Sequence, residues 1–258
     1  MKRFRVLLIV TGGIILAAAY AYGASESTLQ GRLARHVLAS AVQIVAPILA
    51  GIGCLTARRA YTPGDRERAV WTTGALAALA WAVGRSVFAF YQWWGGRSLP
   101  YPSIADGFFV IFYLLLGLAL ALEIRLVAPM VDRPVRIALI GLGVLGWALG
   151  FEFIVSPIMA SAASPTVKAL AAFYPAIAVF LVPAGLLPAV GFRGGTSAYT
   201  WLAVAASALC LAVASLGYAF LTWYELYSEV HIINALWVAG FVFLALGGFW
   251  QRTVQEDI

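Results

Sequence analysis

Residues 105–127 read ADGFFVIFYLLLGLALALEIRLV, with no charge between Asp106 and Glu123. A helix crosses the hydrocarbon core of a bilayer in about 20 residues, so this run is long enough to span. It lacks the alternation of a half-buried strand. In lipid the backbone must pair with itself, so the run predicts a helix. The same signature recurs near residues 5–23, 33–57, 70–94, 136–157, 166–191, 200–223 and 230–250. Eight such spans use most of the 258 residues and leave no room for a soluble domain. The chain is 63% hydrophobic and 11% charged, with mean hydropathy +0.92. An ordinary soluble domain carries roughly 25% charged residues. A soluble globular domain, a disordered chain and a nucleic-acid binder are excluded. The expectation is an all-α integral membrane protein, an eight-span helical bundle in one membrane domain, with residues 251–258 as a short tail.

Orientation follows from the basic residues. With the N-terminus inside, the inner segments hold Lys2, Arg3, Arg5, Arg58, Arg59, Arg66, Arg68, Arg125, Arg133, Arg136, Arg193 and Arg252, which is 12 of the 17. The outer half holds Arg32, Arg35, Arg85, Arg97 and Lys168. Acids divide almost evenly, so the inner side carries the whole net charge of +6. The positive-inside bias therefore puts both termini in the cytoplasm. Lys2-Arg3-Phe4-Arg5 before an apolar run resembles a secretory signal and is taken as an uncleaved first span. Cys54 and Cys210 sit in apolar runs with no metal spacing and are read as small buried hydrophobes.

Local signals mark the span ends. Ser103-Ile-Ala-Asp106 is a capping-box pattern opening the fourth span. Ser164-Pro165 opens the sixth, with proline at the first helical position. Pro63-Gly64-Asp65 makes a turn. Phe90, Tyr91, Trp93, Trp94, Tyr101, Trp223, Tyr224 and Tyr227 form an outer aromatic belt. Gly146-Trp-Ala-Leu-Gly150 predicts close helix packing in the fifth span. Pro183 and Pro188 predict a kink in the sixth.

An internal repeat is visible. Ala82-Val83, Ala89-Phe90 and Trp93 recur as Ala212-Val213, Ala219-Phe220 and Trp223, at a constant offset of 130. Asp106-Gly-Phe-Phe-Val110 recurs as Asn234-Ala-Leu-Trp-Val238 at offset 128. Tyr174-Pro175 echoes Tyr101-Pro102. The expected architecture is a set of helical hairpins repeated about an axis along the membrane normal.

Tyr101-Pro-Ser-Ile-Ala-Asp106, followed by Phe108-Phe109, resembles the Pro-Ser-x-Ala-Asp motif of a multi-span sensory region in bacteria. That region lies N-terminal to GGDEF diguanylate cyclases and histidine kinases. Tyr174-Pro175 resembles its Tyr-Pro-x-x-Asp signature, and Asn234-Ala-Leu-Trp-Val-Ala-Gly-Phe241 resembles its closing segment. The likeness covers roughly residues 70–250. Ala178 and Asn234 stand where the family pattern has acids, Arg85 occupies an often acidic position, and Asp106 is retained. The expectation is a membrane module without an output domain after the last span. The resemblance therefore implies the membrane fold more than the signalling role.

No nucleophile elbow, zinc-protease helix, phosphate loop or intramembrane carboxylate pair occurs, so a non-enzyme is expected. Ionisable groups within spans are costly and point to function. Arg85, Asp106, Glu152, Glu229 and His231 reach similar depths in the outer half and could converge on a polar cleft rimmed by Trp93, Trp94, Tyr101 and Trp223. Asp106 has an alternative reading as a capping residue favoured by the helix dipole. Glu123 with Arg125 reads as interfacial. His36 and His231, the two histidines, lie at similar depth, which permits a shared haem or metal ion; the ordinary reading is two interfacial side chains. Lys168 lies at the mouth of the sixth span, where snorkelling explains it better than a retinal Schiff base. No cofactor is predicted, and haem or pigment would enter only through a larger complex. The expected partners are the bilayer and a membrane protein, with no nucleic acid. The leading expectation is a sensory or regulatory module acting through a separate partner. An accessory subunit of a respiratory or photosynthetic complex is the alternative, and a small transporter ranks third.

Overall fold

Helix starts are set by short polar residues. Thr28 Oγ1 accepts from Gly31 N at 3.1 Å and opens the first long helix. Ser103 and Asp106 close a capping box, and Ser164 Oγ accepts from Val167 N ahead of Pro165. In the computed structural model, the described residues are 11–15, 17–19, 21, 22, 28–94, 101–228 and 230–256, without the side chains of Leu29, Trp93, Trp94 and Glu256. Residues 11–15, 17–19, 21 and 22 are helical and are labelled α1. The others are α2 (Leu29–Arg58), α3 (Arg66–Trp94), α4 (Ile104–Val127), α5 (Arg133–Ala160), α6 (Pro165–Gly191), α7 (Ser197–Trp223) and α8 (Asn234–Glu256). The described residues contain no strand.

Seven helices, α2 to α8, are long and apolar enough to cross a membrane. Part of the expected first span falls outside the described residues. At the other end of the chain, residues 251–256 are not a free tail but continue α8. The helix begins at Asn234 because residues 230–233 form turns, with Asn234 N bonded to His231 O.

Neighbouring helices form a ring in the order α2, α3, α4, α6, α7, α8, with α8 returning to α2. A shift of three places carries α3–α4 onto α7–α8, the neighbour order that the 130-residue offset requires. Close approach is achieved with small residues, the usual device where lipid removes the hydrophobic drive between helices. At the α2–α8 crossing a Cβ on Gly248 would lie 2.4 Å from the Gly53 carbonyl carbon, so the two backbones touch. α1 leans on α2: Tyr22 donates to Ala39 O, and Gln43 Nε2 donates to the Tyr22 hydroxyl.

α5 stands outside the ring and packs mainly on α6. Its inward stripe is the expected small-residue motif extended by one turn. Gly143 meets Phe180 and Pro183, and Gly146 meets Val179. Pro157 has no N–H to give the helix, and the turn before it, Phe151–Val155, widens to π geometry. α6 remains one continuous helix through Pro175, Pro183 and Pro188.

Candidate functional site

The ring encloses a cavity of about 530 Å³ at the end where α4 begins. Its deepest walls are aromatic. Trp81 of α3 sits among Phe109, Phe112, Trp237 and Phe241, with ring centroids 4.6 to 5.8 Å away. Tyr113 lies nine residues into α4, roughly 14 Å below its start at 1.5 Å per residue, and its hydroxyl is hydrogen-bonded to Ser215 of α7. Both of these residues line the cavity, as do Trp81, Phe109 and Trp237.

Arg85 and Asp106 both face this space, but they are in different electrostatic situations. Asp106 Oδ2 accepts from Ser103 N at 2.8 Å and Ser103 Oγ at 3.0 Å. Asp106 Oδ1 accepts from the Tyr174 hydroxyl at 3.1 Å, across the α4–α6 seam. Each oxygen of the carboxylate is therefore hydrogen-bonded. Arg85 is one turn above Trp81. Its Nε is buried with no hydrogen-bond partner, and its guanidinium carbon lies 4.8 Å from the Phe88 ring centroid. No ion pair joins Arg85 to Asp106 among the described residues. Burial holds the Tyr227 hydroxyl above its ordinary range while nearby Arg85 pulls it down, so this phenol stays neutral. Two further charges stand on the cavity wall, Arg85 and the exposed Glu225, and no ion pair joins them among the described residues.

The other expected residues lie elsewhere. Glu152 is exposed and does not line the cavity. It belongs to the π turn of α5, the helix that stands outside the ring. His231 is outside the lining, and its Nδ1 accepts from Ile233 N at 3.2 Å, a turn contact before α8. His36 lies on α2 and is also outside the lining. Glu229 lies outside the described residues. No cluster of three or more His, Cys, Asp or Glu suited to a metal occurs among the described residues. Lys168 donates to Met159 O at 2.8 Å and ties the start of α6 to the end of α5. Of the expected rim, Tyr101 and Trp223 line the cavity, while the side chains of Trp93 and Trp94 are not described.

Several lining residues were not singled out by the sequence as site residues. Tyr174 supplies the bond to the Oδ1 oxygen of Asp106; its signal is the echo of Tyr101-Pro102. Gln43 is a buried amide in the middle of α2, itself a signal because a polar group at that depth needs a partner. Asn234 repeats part of the Asp106 arrangement: it also begins a helix, and its Oδ1 accepts from the Tyr227 hydroxyl at 3.1 Å. Ala178 is fully buried. Comparison with protein-family models, curated proteins and solved structures gives no match.

Proposed function

We propose that this chain is a non-enzymatic, multi-pass module of the bacterial inner membrane that binds a small or lipidic anion in the Arg85 cavity and acts through a separate partner. Both termini are cytoplasmic in this reading, and the cavity opens outward. The observation that carries it is the Arg85 guanidinium, with an unpartnered Nε, on the wall of an aromatic space of about 530 Å³. Arg85 is half-buried, and a buried N–H of a guanidinium calls for an acceptor, best a charged one. Asp106 does not supply one, because its oxygens are bonded to Ser103 and Tyr174, and neither does Glu225, which is exposed on the lining and makes no ion pair with Arg85. A ligand with one anionic group and an apolar body would complement both the cation and the rings. The resemblance of residues 101–106 to a sensory region supports the same reading.

The test uses the full chain in phosphatidylcholine nanodiscs, with decanoate and its uncharged amide as probes. Decanoate at 100 times its Kd should stabilise the fold by about 2.7 kcal/mol. The amide should do much less, and Arg85→Gln should erase the difference. Equal responses to the two probes, or an unchanged preference in Arg85→Gln, would overturn the ligand assignment. Purification in mild detergent tests the partner: a chain that always elutes alone removes that half of the proposal.

A second reading, an accessory subunit of a larger complex, draws on α5. Ile137, Ile140, Val144, Leu145 and Phe153 of this helix are more than half exposed and form a long apolar outer face. Co-migration with haem- or pigment-bearing subunits would favour it.

A further inference from the structure

At the opposite end of the ring a second cavity, of about 250 Å³, opens among α3, α4, α7 and α8. Glu67 lines it from the first turn of α3, and Glu123 from the last turns of α4. Glu123 is 3% exposed, and no Lys, Arg or His lines the cavity. Gln251 of α8 is 4% exposed; its Nε2 donates to the Tyr61 hydroxyl at 2.6 Å, but its Oε1 is buried with no hydrogen-bond partner. Trp71 and Trp201 form an apolar wall, with ring centroids 5.8 Å apart. Burial pushes the Tyr61 hydroxyl up to about 12, so it stays neutral. The cavity's formal charge is that of its two carboxylates.

These features define a missing complement. With both acids ionised, the two carboxylates and the stranded amide oxygen are all acceptors, and the buried ones, Glu123 and Gln251, are costly to leave unpaired. What fits between them is a cation bearing N–H donors. A hard divalent ion is a poor match, since calcium takes 6–8 oxygen ligands and no third His, Cys, Asp or Glu joins the pair among the described residues. Indole faces favour an organic cation, through cation–π attraction and contact with its methylenes. We propose that this cavity binds a small organic ammonium, a primary amine or diamine. Its N–H groups bond Glu123, Glu67 and Gln251 Oε1, and its carbon chain lies on Trp71 and Trp201. The ammonium can come from a soluble amine or from the ethanolamine headgroup of a phospholipid. The site is separate from the Arg85 cavity and stands without it.

The test places the full chain in nanodiscs of phosphatidylcholine, a lipid whose headgroup has no N–H. Putrescine and ethanolamine are titrated while thermal unfolding and tryptophan fluorescence are followed. Parallel nanodiscs contain phosphatidylethanolamine. A saturable rise in Tm with either source, not reproduced by sodium or magnesium at matched ionic strength, is the expected result. Glu123→Gln should weaken the amine by about tenfold or more, the size expected for a lost charge-assisted bond. Gln251→Leu should weaken it as well, and Arg85→Gln should leave it unchanged. A response to soluble amines in phosphatidylcholine assigns the site to free amines; a response only with phosphatidylethanolamine assigns it to the headgroup. The proposal fails if folded wild-type protein answers to neither source, or if magnesium acts as strongly as the amines. It also fails if folded Glu123→Gln and Gln251→Leu both respond like wild type.

Discussion

Adding one methyl group at position 248 should wedge the ring open. A Cβ there would stand 2.4 Å from the Gly53 carbonyl carbon, 2.6 Å from its oxygen and 2.8 Å from Cys54 N. All three are backbone atoms, so no side chain can swing aside. Restoring ordinary contact, about 3.5 Å between carbons, needs a separation of roughly 1 Å between α2 and α8. A gap of 0.5–1 Å forfeits a quarter to a half of each dispersion well of about 0.1–0.2 kcal/mol. At the middle of both ranges, about 50 atom pairs across the seam lose roughly 3 kcal/mol, the upper end of measured overpacking costs of about 1–3 kcal/mol. Removing a glycine from a helix returns about 0.5–1 kcal/mol. Gly248→Ala should therefore destabilise by about 1–2.5 kcal/mol. Gly141→Ala is the control. It lies in α5 with nothing within 4 Å of its Cβ position, so it should be neutral or slightly stabilising. Reversible unfolding in mixed dodecylmaltoside and SDS micelles reads both. If Gly248→Ala matches Gly141→Ala, the α2–α8 backbones do not touch and the ring closure is misdrawn.

Tyr174→Phe removes the hydroxyl that reaches Asp106 across the α4–α6 seam. It should cost about 1–2 kcal/mol, the range of a partly exposed charge-assisted bond, and a double-mutant cycle with Asp106→Asn should show coupling; additive losses would refute the bond. Arg85→Leu should leave stability within about 1 kcal/mol of wild type or raise it, because the Asp106 carboxylate already has other partners; chemical unfolding showing a loss of several kcal/mol would mean that an acid does depend on Arg85. Glu225 adopts a left-handed conformation with φ of 57°, so Glu225→Gly should add about 0.5–1 kcal/mol, and a lower Tm would refute the strain. In a cysteine-free background, an impermeant maleimide added outside cells should label Ser98→Cys and miss Gly64→Cys; the reverse pattern would invert the proposed topology.

The division between what the sequence disclosed and what it hid has a physical basis. Caps are local chemistry within three or four residues, so Ser103–Asp106 and Ser164–Pro165 are legible in one dimension. Depth along a span is also legible, because it counts residues from an end. Rotation about a span is not. A membrane helix that is apolar on every side carries no stripe to mark its inward face. Residue counting therefore puts Glu152 on the cavity wall, whereas it is exposed on α5, outside the ring. Glu123 shows the same limit. Beside Arg125 it reads as half of an interfacial pair, yet residues two apart on a helix do not face each other; Arg125 is exposed while Glu123 is buried. Tyr174 needed a partner 68 residues away, and only the repeated Tyr-Pro pair hinted at it.

The seam between α2 and α8 also sets a schedule. Tyr61 and Gln251, which bond beside it, are 190 residues apart in the chain. At synthesis rates of about 5–20 residues per second, that separation is roughly 10–40 s. Through that interval α2 has its α3 neighbour but not its α8 neighbour. The Gly53 surface, shaped to meet a bare backbone, then offers an open furrow to the surrounding membrane. Lipid chains or an insertion factor must fill it and later leave. Substitutions along this furrow should therefore reduce the yield of assembled protein more than their equilibrium cost alone accounts for.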